Sequence, residues 1–157
     1  MKKVKLEDII EAMELVNDDS NYYYNKMTGE ITYVDDETRR LAEDCSMEDL
    51  ESLPDWQRDD VRGAIDVEEN WNYYIALPSK FDINEYDIMV KFCYFLDNDK
   101  ISNQLLNALN GKRAFRRFKD TVFRLSIEEK WYEFRDEALR KIALDWCSCN
   151  RIEIENN

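Results

Sequence analysis

From position 84 to the end of the chain, apolar residues recur three and four places apart with only short polar breaks. That period confines this half to a succession of amphipathic helices. Ile88, Met89, Phe92 and Phe95 mark a helix over 84–96, and Ile101, Leu105 and Leu109 mark one over 100–110. Phe115, Phe118, Val122 and Leu125 form the core-facing stripe of a third. Ser126-x-x-Glu129 reads as a capping box opening the last and longest helix, whose apolar face runs through Ile127, Trp131, Phe134, Ala138, Ile142 and Trp146. Asp136 with Arg140 and Glu137 with Lys141 are spaced as favourable i,i+4 pairs.

Before position 84 the pattern is mixed. Leu6, Ile9, Ile10 and Met13 predict a helix over 4–16 that ends at the turn cluster Asn17-Asp18-Asp19-Ser20. The period then changes to two. Tyr22 to Asn25 and Glu30 to Val34 flank Lys26-Met27-Thr28-Gly29, which predicts a β-hairpin over about 21–34. Asp35, Asp36 and Glu37 put negative charge at a helix start, and Ser46-x-x-Asp49 approximates a cap for another short helix. Pro54 opens a helix over 55–69 with Trp56, Val61, Ala64 and Ile65 as its core residues. Residues 73–77 read as a third strand stopped by Pro78, and the alternating tail at 151–155 as a short edge strand. The expected fold is α+β and mostly α, with about six to seven helices, the hairpin, and one or two further short strands. A chain of 157 residues is expected to make a single domain over 1–157, with an acidic part at 1–110 and the basic and C-terminal helices at 111–150.

Charge separates these parts. The formal net charge is −13, yet residues 1–110 carry 11 Lys+Arg against 26 Asp+Glu and residues 111–157 carry 11 against 9. So acidic a molecule is not drawn as a whole to DNA or to an anionic membrane. Three of the first five residues are lysines, but Glu7 and Asp8 stand where a secretory signal needs an apolar run, and no stretch approaches the ~20 apolar residues of a membrane span. Cys45, Cys93, Cys147 and Cys149 are therefore expected to be reduced thiols in a cytoplasmic protein with no membrane contact.

Against this acidic background Gly111-Lys112-Arg113-Ala114-Phe115-Arg116-Arg117-Phe118-Lys119 gathers five positive charges and no negative one. Gly111 suits the left-handed residue that closes one helix, so the basic run is expected to open the next. Free first-turn amides beside Lys112 and Arg113 attract a phosphate or carboxylate. Lys112, Arg113, Arg116, Arg117 and Lys119 are the anion-binding candidates. The simplest expectation is that this basic face pairs with the protein's own surplus of carboxylates.

The string Ala114-Phe115-Arg116-Arg117-Phe118-Lys119-Asp120, with Leu77-Pro78 before it and Trp131-Tyr132-x-Phe134-Arg135 and Ala143-x-x-Trp146 after it, resembles uncharacterised protein family 0158, a family of small bacterial proteins. The resemblance covers roughly residues 74–147. Cys147 departs from it by standing where a leucine is expected. The resemblance implies these helix boundaries and supplies no catalytic residue to carry over.

The chain has no histidine, which removes Ser-His-Asp and Cys-His catalysis and histidine-bearing zinc sites. Only Cys147-x-Cys149 is a close cysteine pair, too little for a four-cysteine zinc site. Asp97-x-Asp99 begins like a calcium loop, but Ser102 and Ala108 replace the required glycine and glutamate. Gly111-Lys112 is not a Walker A motif, since Leu106 and Arg113 stand in place of its first glycine and its magnesium-holding hydroxyl. Glu128-x-Lys130 matches a nuclease dipeptide spacing but falls in a helical first turn. Tyr22, Tyr23, Tyr24 and Tyr33 offer a base-stacking platform, although tyrosine is equally an ordinary strand residue. No catalytic group, metal or cofactor is nominated. The reading that follows is a non-enzymatic protein-binding or regulatory module with a basic protein partner. The alternatives are nucleic-acid or phosphate-backbone binding by the basic helix at 112–124, and an enzyme of unrecognised type.

Overall fold

Asn25 builds the turn on which the sheet depends. A computed structural model describes residues 3–45 and 47–155, and in it the Asn25 side chain accepts the N–H groups of Met27 at 2.8 Å and Thr28 at 3.2 Å. Gly29, at φ +80°, donates to the Asn25 carbonyl at 2.8 Å. The hairpin is the one the sequence predicts: β1 (Ser20–Asn25) runs antiparallel to β2 (Ile31–Asp35) with Tyr22 opposite Tyr33. The expected third strand is also present. β3 (Tyr74–Ala76) lies on the other edge of β1, giving the order β2-β1-β3.

The chain divides into two compact units, Met1–Ile83 with Ile142–Asn157, and Asn84–Lys141. In the first unit, α1 (Leu6–Leu15) buries Leu6, Ile9, Ala12 and Met13. α2 (Asp36–Asp44) starts where the acidic run predicts, with the Asp35 side chain accepting the Thr38 N–H at 2.7 Å. Ser46 lies outside the described residues, and the segment after it is a 3-10 turn, Met47–Ser52. α3 (Asp55–Glu69) matches its expected bounds and buries Val61, Ala64, Ile65 and Val67. Two apolar clusters result. Val34, Ala64 and Val67 pack with Tyr23, Ala42 and Tyr74; Leu50, Val61 and Ile65 pack with Leu41, Cys45 and Leu53. Helix and sheet touch closely at Gly63, where a Cβ would stand 2.9 Å from Thr32 Cγ2.

Two expectations in this unit are corrected and one element is added. Trp56 is not core: it is 72% exposed in the first turn of α3, before the helix reaches either cluster. The tail strand reduces to a single parallel bridge between Val4 and Ile154. A short helix that was not anticipated, α4 (Lys80–Ile83), follows Pro78. The Ser79 amide and hydroxyl both donate to Asp82 Oδ2 at 2.9 Å, and the Asp82 amide returns a bond to Ser79 Oγ at 3.1 Å, a capping box.

The second unit contains α5 (Glu85–Phe95), α6 (Asp99–Ala108), α7 (Ala114–Arg124) and α8 (Glu128–Cys149) as far as Lys141. These are the four helices in succession that the apolar period predicts. Phe92, Phe118 and Trp131 form its centre, with ring centroids 5.0 to 6.2 Å apart in edge-to-face arrangement. Phe134 tilts against Phe92 at 5.4 Å and Phe95 at 5.1 Å, although Phe95 is otherwise 65% exposed rather than core. Phe115 also leaves the core stripe and stacks on Tyr86 with centroids 6.4 Å apart.

Ser126 does not cap α8. It sits at φ +57° just past α7, where its N–H donates to Phe123 O at 3.1 Å and the Ile127 N–H reaches Val122 O at 3.1 Å. This is a Schellman closure with serine in the place glycine usually takes. The end of α8 repeats it, with Arg151 at φ +56° donating to Ser148 O at 3.2 Å and the Ile152 N–H to Cys147 O at 2.9 Å. Along α8 the buried ridge is Trp131, Leu139, Ala143 and Cys147; the expected Ile127, Phe134, Ala138, Ile142 and Trp146 are only half-buried on its flank. Neither expected pair on α8, Asp136 with Arg140 or Glu137 with Lys141, closes to ion-pair distance. The fold is α+β and mostly α, with a three-stranded antiparallel sheet. Among the described residues no helix is long and apolar enough to cross a membrane.

Candidate functional site

The basic run opens α7 two residues later than its charge suggests. α6 closes at Leu109, Gly111 turns the chain at φ +87°, and Arg113, at φ +58°, is the residue before the first helical turn. Arg113 gives that turn no side-chain cap. Arg117 takes a structural role: its guanidinium donates to Asn110 O at 2.5 Å, just past α6, and to Asn107 O at 3.2 Å, which also accepts the Asn110 N–H at 3.2 Å. Arg124 donates to Gln104 Oε1 at 3.2 Å. Lys112, Arg113, Arg116 and Lys119 are exposed, and among the described residues none has an ion-pair partner. The expected pairing of this face with the protein's own carboxylates is therefore not formed there. The carboxylate that an arginine of this unit does take is Glu85, held by Arg135.

The surplus of negative charge belongs to the other unit. Asn84–Lys141 holds 12 Lys+Arg against 10 Asp+Glu, a net +2, which leaves −15 of the −13 total for the first unit. Surface pairs there, Arg58 with Asp55, Arg62 with Asp59 and Lys80 with Asp18, offset little of it. Between α1 and the hairpin lies a groove of about 530 Å³ carrying Asp8, Glu11 and Glu30 beside Tyr22, with Ala12, Leu15 and Ile31 as its apolar part. Burial, then Tyr33 and Glu11, push the Tyr22 hydroxyl above its ordinary pKa. The Tyr22 and Tyr33 rings pack together with centroids 5.1 Å apart, and Tyr24 is fully buried, edge-on to Trp146 at 6.1 Å. The hairpin tyrosines are thus occupied in packing.

A second concavity of about 380 Å³ lies where β1, β2, α2 and α3 meet. Val34, Ala42, Ala64 and Val67 line it with Tyr23 and Trp71, and among the described residues Arg39 and Glu68 bring the only charges to it. Arg39 Nη2 donates to the Tyr23 hydroxyl at 3.1 Å. Sequence reasoning missed this site because its residues come from four elements and share no spacing. It also missed the cluster in which Asp66 accepts from the Tyr74 hydroxyl and, at 2.7 Å, from Asn70 Nδ2; burial and then Asp66 raise the Tyr74 pKa.

The remaining reactive groups are subdued. Burial pushes the Cys93 thiol up to about 11 and raises Cys147, so neither is a ready nucleophile. All four cysteines are unpaired. The Asp97-x-Asp99 segment serves α6 instead: Asn98 Oδ1 accepts the Ile101 N–H at 3.1 Å, and Asp99 sits in the first turn. Among the described residues no three Cys, Asp or Glu side chains converge at metal-holding distances.

A curated relative, UPF0158 protein PA5073 of Pseudomonas aeruginosa, is 36% identical over 50 residues, which is 31% of this chain and 33% of that protein. The chain thus aligns with about a third of that relative's length. No solved structure matches the chain significantly. The sequence model of an uncharacterised protein family, UPF0158, matches residues 2–156, well beyond the motif-bearing stretch at about 74–147, and the chain belongs to that family.

Proposed function

We propose that this protein is a non-enzymatic binding module of the cytoplasm that docks a basic protein partner on its acidic first unit. The observation that carries the reading is the groove between α1 and the hairpin, where Asp8, Glu11 and Glu30 stand around an apolar strip without ion-pair partners among the described residues. A lysine or arginine side chain lays its methylene stem on Ala12, Leu15 and Ile31 and its charged head among the carboxylates. The −15 carried by this unit adds long-range steering toward a basic surface. Four unpaired thiols agree with a reducing compartment. The test is capture of partners from a cell lysate by the protein and by a Glu11→Lys/Glu30→Lys variant. One discrete basic protein, released by salt and lost with the variant, supports the reading; a partner insensitive to both counts against it.

A second reading rests on a different observation. Lys112, Arg113, Arg116 and Lys119 project from the start of α7 with no ion-pair partner among the described residues, the arrangement a phosphate backbone would meet. Anisotropy of labelled DNA and RNA at two salt concentrations tests it, with Arg113→Glu/Arg116→Glu alongside.

A further inference from the structure

We infer that the pocket formed by β1, β2, α2 and α3 is a binding site for a free α-amino acid with a large apolar or aromatic side chain. The inference is independent of the docking surface above, since it uses none of that groove's residues. Arg39 is half-buried in a unit of strong negative charge, yet among the described residues it has no carboxylate within ion-pair distance, and one N–H goes to the Tyr23 hydroxyl. A guanidinium carries five donors, and its planar fork matches a carboxylate. Glu68 lines the same pocket and likewise has no cation paired with it. Two opposite charges that share a cavity without meeting call for a ligand that carries both.

The rest of the lining sets the size and polarity of that ligand. Val34, Ala64 and Val67 make an apolar floor, and Trp71, 69% exposed, supplies an aromatic wall three residues beyond Glu68. A simple organic acid would leave Glu68 facing an anion, and a simple amine would leave Arg39 facing a cation. Glycine would satisfy both charges but leave the floor wet. A volume of about 380 Å³ lies in the range of small-molecule sites. The ligand's carboxylate sits on Arg39, its ammonium on Glu68, and its side chain on the floor against Trp71.

The experiment is calorimetric titration of the full chain with L-phenylalanine, 3-phenylpropionate, phenethylamine and glycine. Saturable binding is expected for phenylalanine, about 10-fold or more weaker for the other three. Arg39→Gln and Glu68→Gln should each weaken phenylalanine by about 10-fold with the circular-dichroism melt unchanged, and Arg39→Gln should leave phenethylamine unaffected because that probe has no carboxylate to lose. Should Arg39→Gln fail to fold, the probe series on the unaltered chain still decides. Absence of saturable phenylalanine binding at about 10 mM, equal affinity for 3-phenylpropionate or phenethylamine, or indifference to both substitutions would overturn the assignment.

Discussion

Arg135 on α8 grips Glu85 at the start of α5 through two nitrogens. Nη2 lies 2.6 Å and Nε 3.1 Å from Oε1, and the two side chains are only 23% and 21% exposed. A two-pronged, partly desolvated pair joining residues 50 apart in sequence is of a different kind from the exposed pairs of α3. Arg135→Ala leaves the Glu85 carboxylate without this partner and is expected to cost about 2 to 3 kcal/mol, whereas Asp59→Ala in an exposed pair should cost under about 0.5 kcal/mol. Urea melts of the two variants check the contrast.

The centre of the second unit is a ring cluster, and its loss should dominate any stability scan. Phe118 and Trp131 are 0% and 3% exposed with centroids 5.0 Å apart. Phe118→Ala and Trp131→Ala are each expected to destabilise by about 3 to 5 kcal/mol. Because the rings touch, the double variant should fall short of the sum of the two, as a double-mutant cycle would show.

Ser126 and Arg151 close helices in the left-handed region at φ +57° and +56°. Glycine enters that region without a Cβ penalty. Ser126→Gly and Arg151→Gly are therefore expected to stabilise by about 0.5 to 1 kcal/mol each, measured as a shift in the urea midpoint at unchanged slope.

Asp35 caps α2, and hydrogen bonds from the Thr38 hydroxyl and then its N–H hold the Asp35 carboxyl below the usual carboxylate range. A depressed folded-state pKa means stability that is present above the unfolded value of about 4 and is lost as pH falls through the folded one. Asp35→Ala should cost about 1 kcal/mol at neutral pH. That difference from the unaltered protein should shrink in melts taken below about pH 3.

Much of this architecture is legible from spacing alone. The bounds of α3, the hairpin, β3 and the four helices after position 84 all follow from local period and from Gly29, Pro54 and Pro78. What spacing does not fix is phase when two stripes compete. On α8 the apolar residues form two adjacent rows, so the buried ridge through Leu139, Ala143 and Cys147 lies one residue from the expected face. Trp56 shows the same limit, since an aromatic in a first turn satisfies the pattern whether or not anything lies opposite it. Ser126 reads as an N-cap because the loop between α7 and α8 is so short that one serine fits either role.

The candidate sites were legible in charge but not in geometry. The basic run stands out in the sequence, yet the use of Arg117 on Asn110 and Asn107 depends on where α6 stops relative to Gly111. The acidic groove and the pocket at Arg39 combine residues distant in sequence, and no local pattern announces them.

The central claim is that the carboxylates of the groove between α1 and the hairpin dock a basic partner. Salt-stepped capture from lysate tests it most directly, comparing the unaltered chain, Glu11→Lys/Glu30→Lys, and Arg113→Glu/Arg116→Glu as a control on the other unit. The account predicts one basic protein retained by the unaltered chain and by the α7 variant, released by raised salt, and absent with the groove variant. Retention by the groove variant together with loss from the α7 variant would contradict it and transfer the binding face to the basic helix.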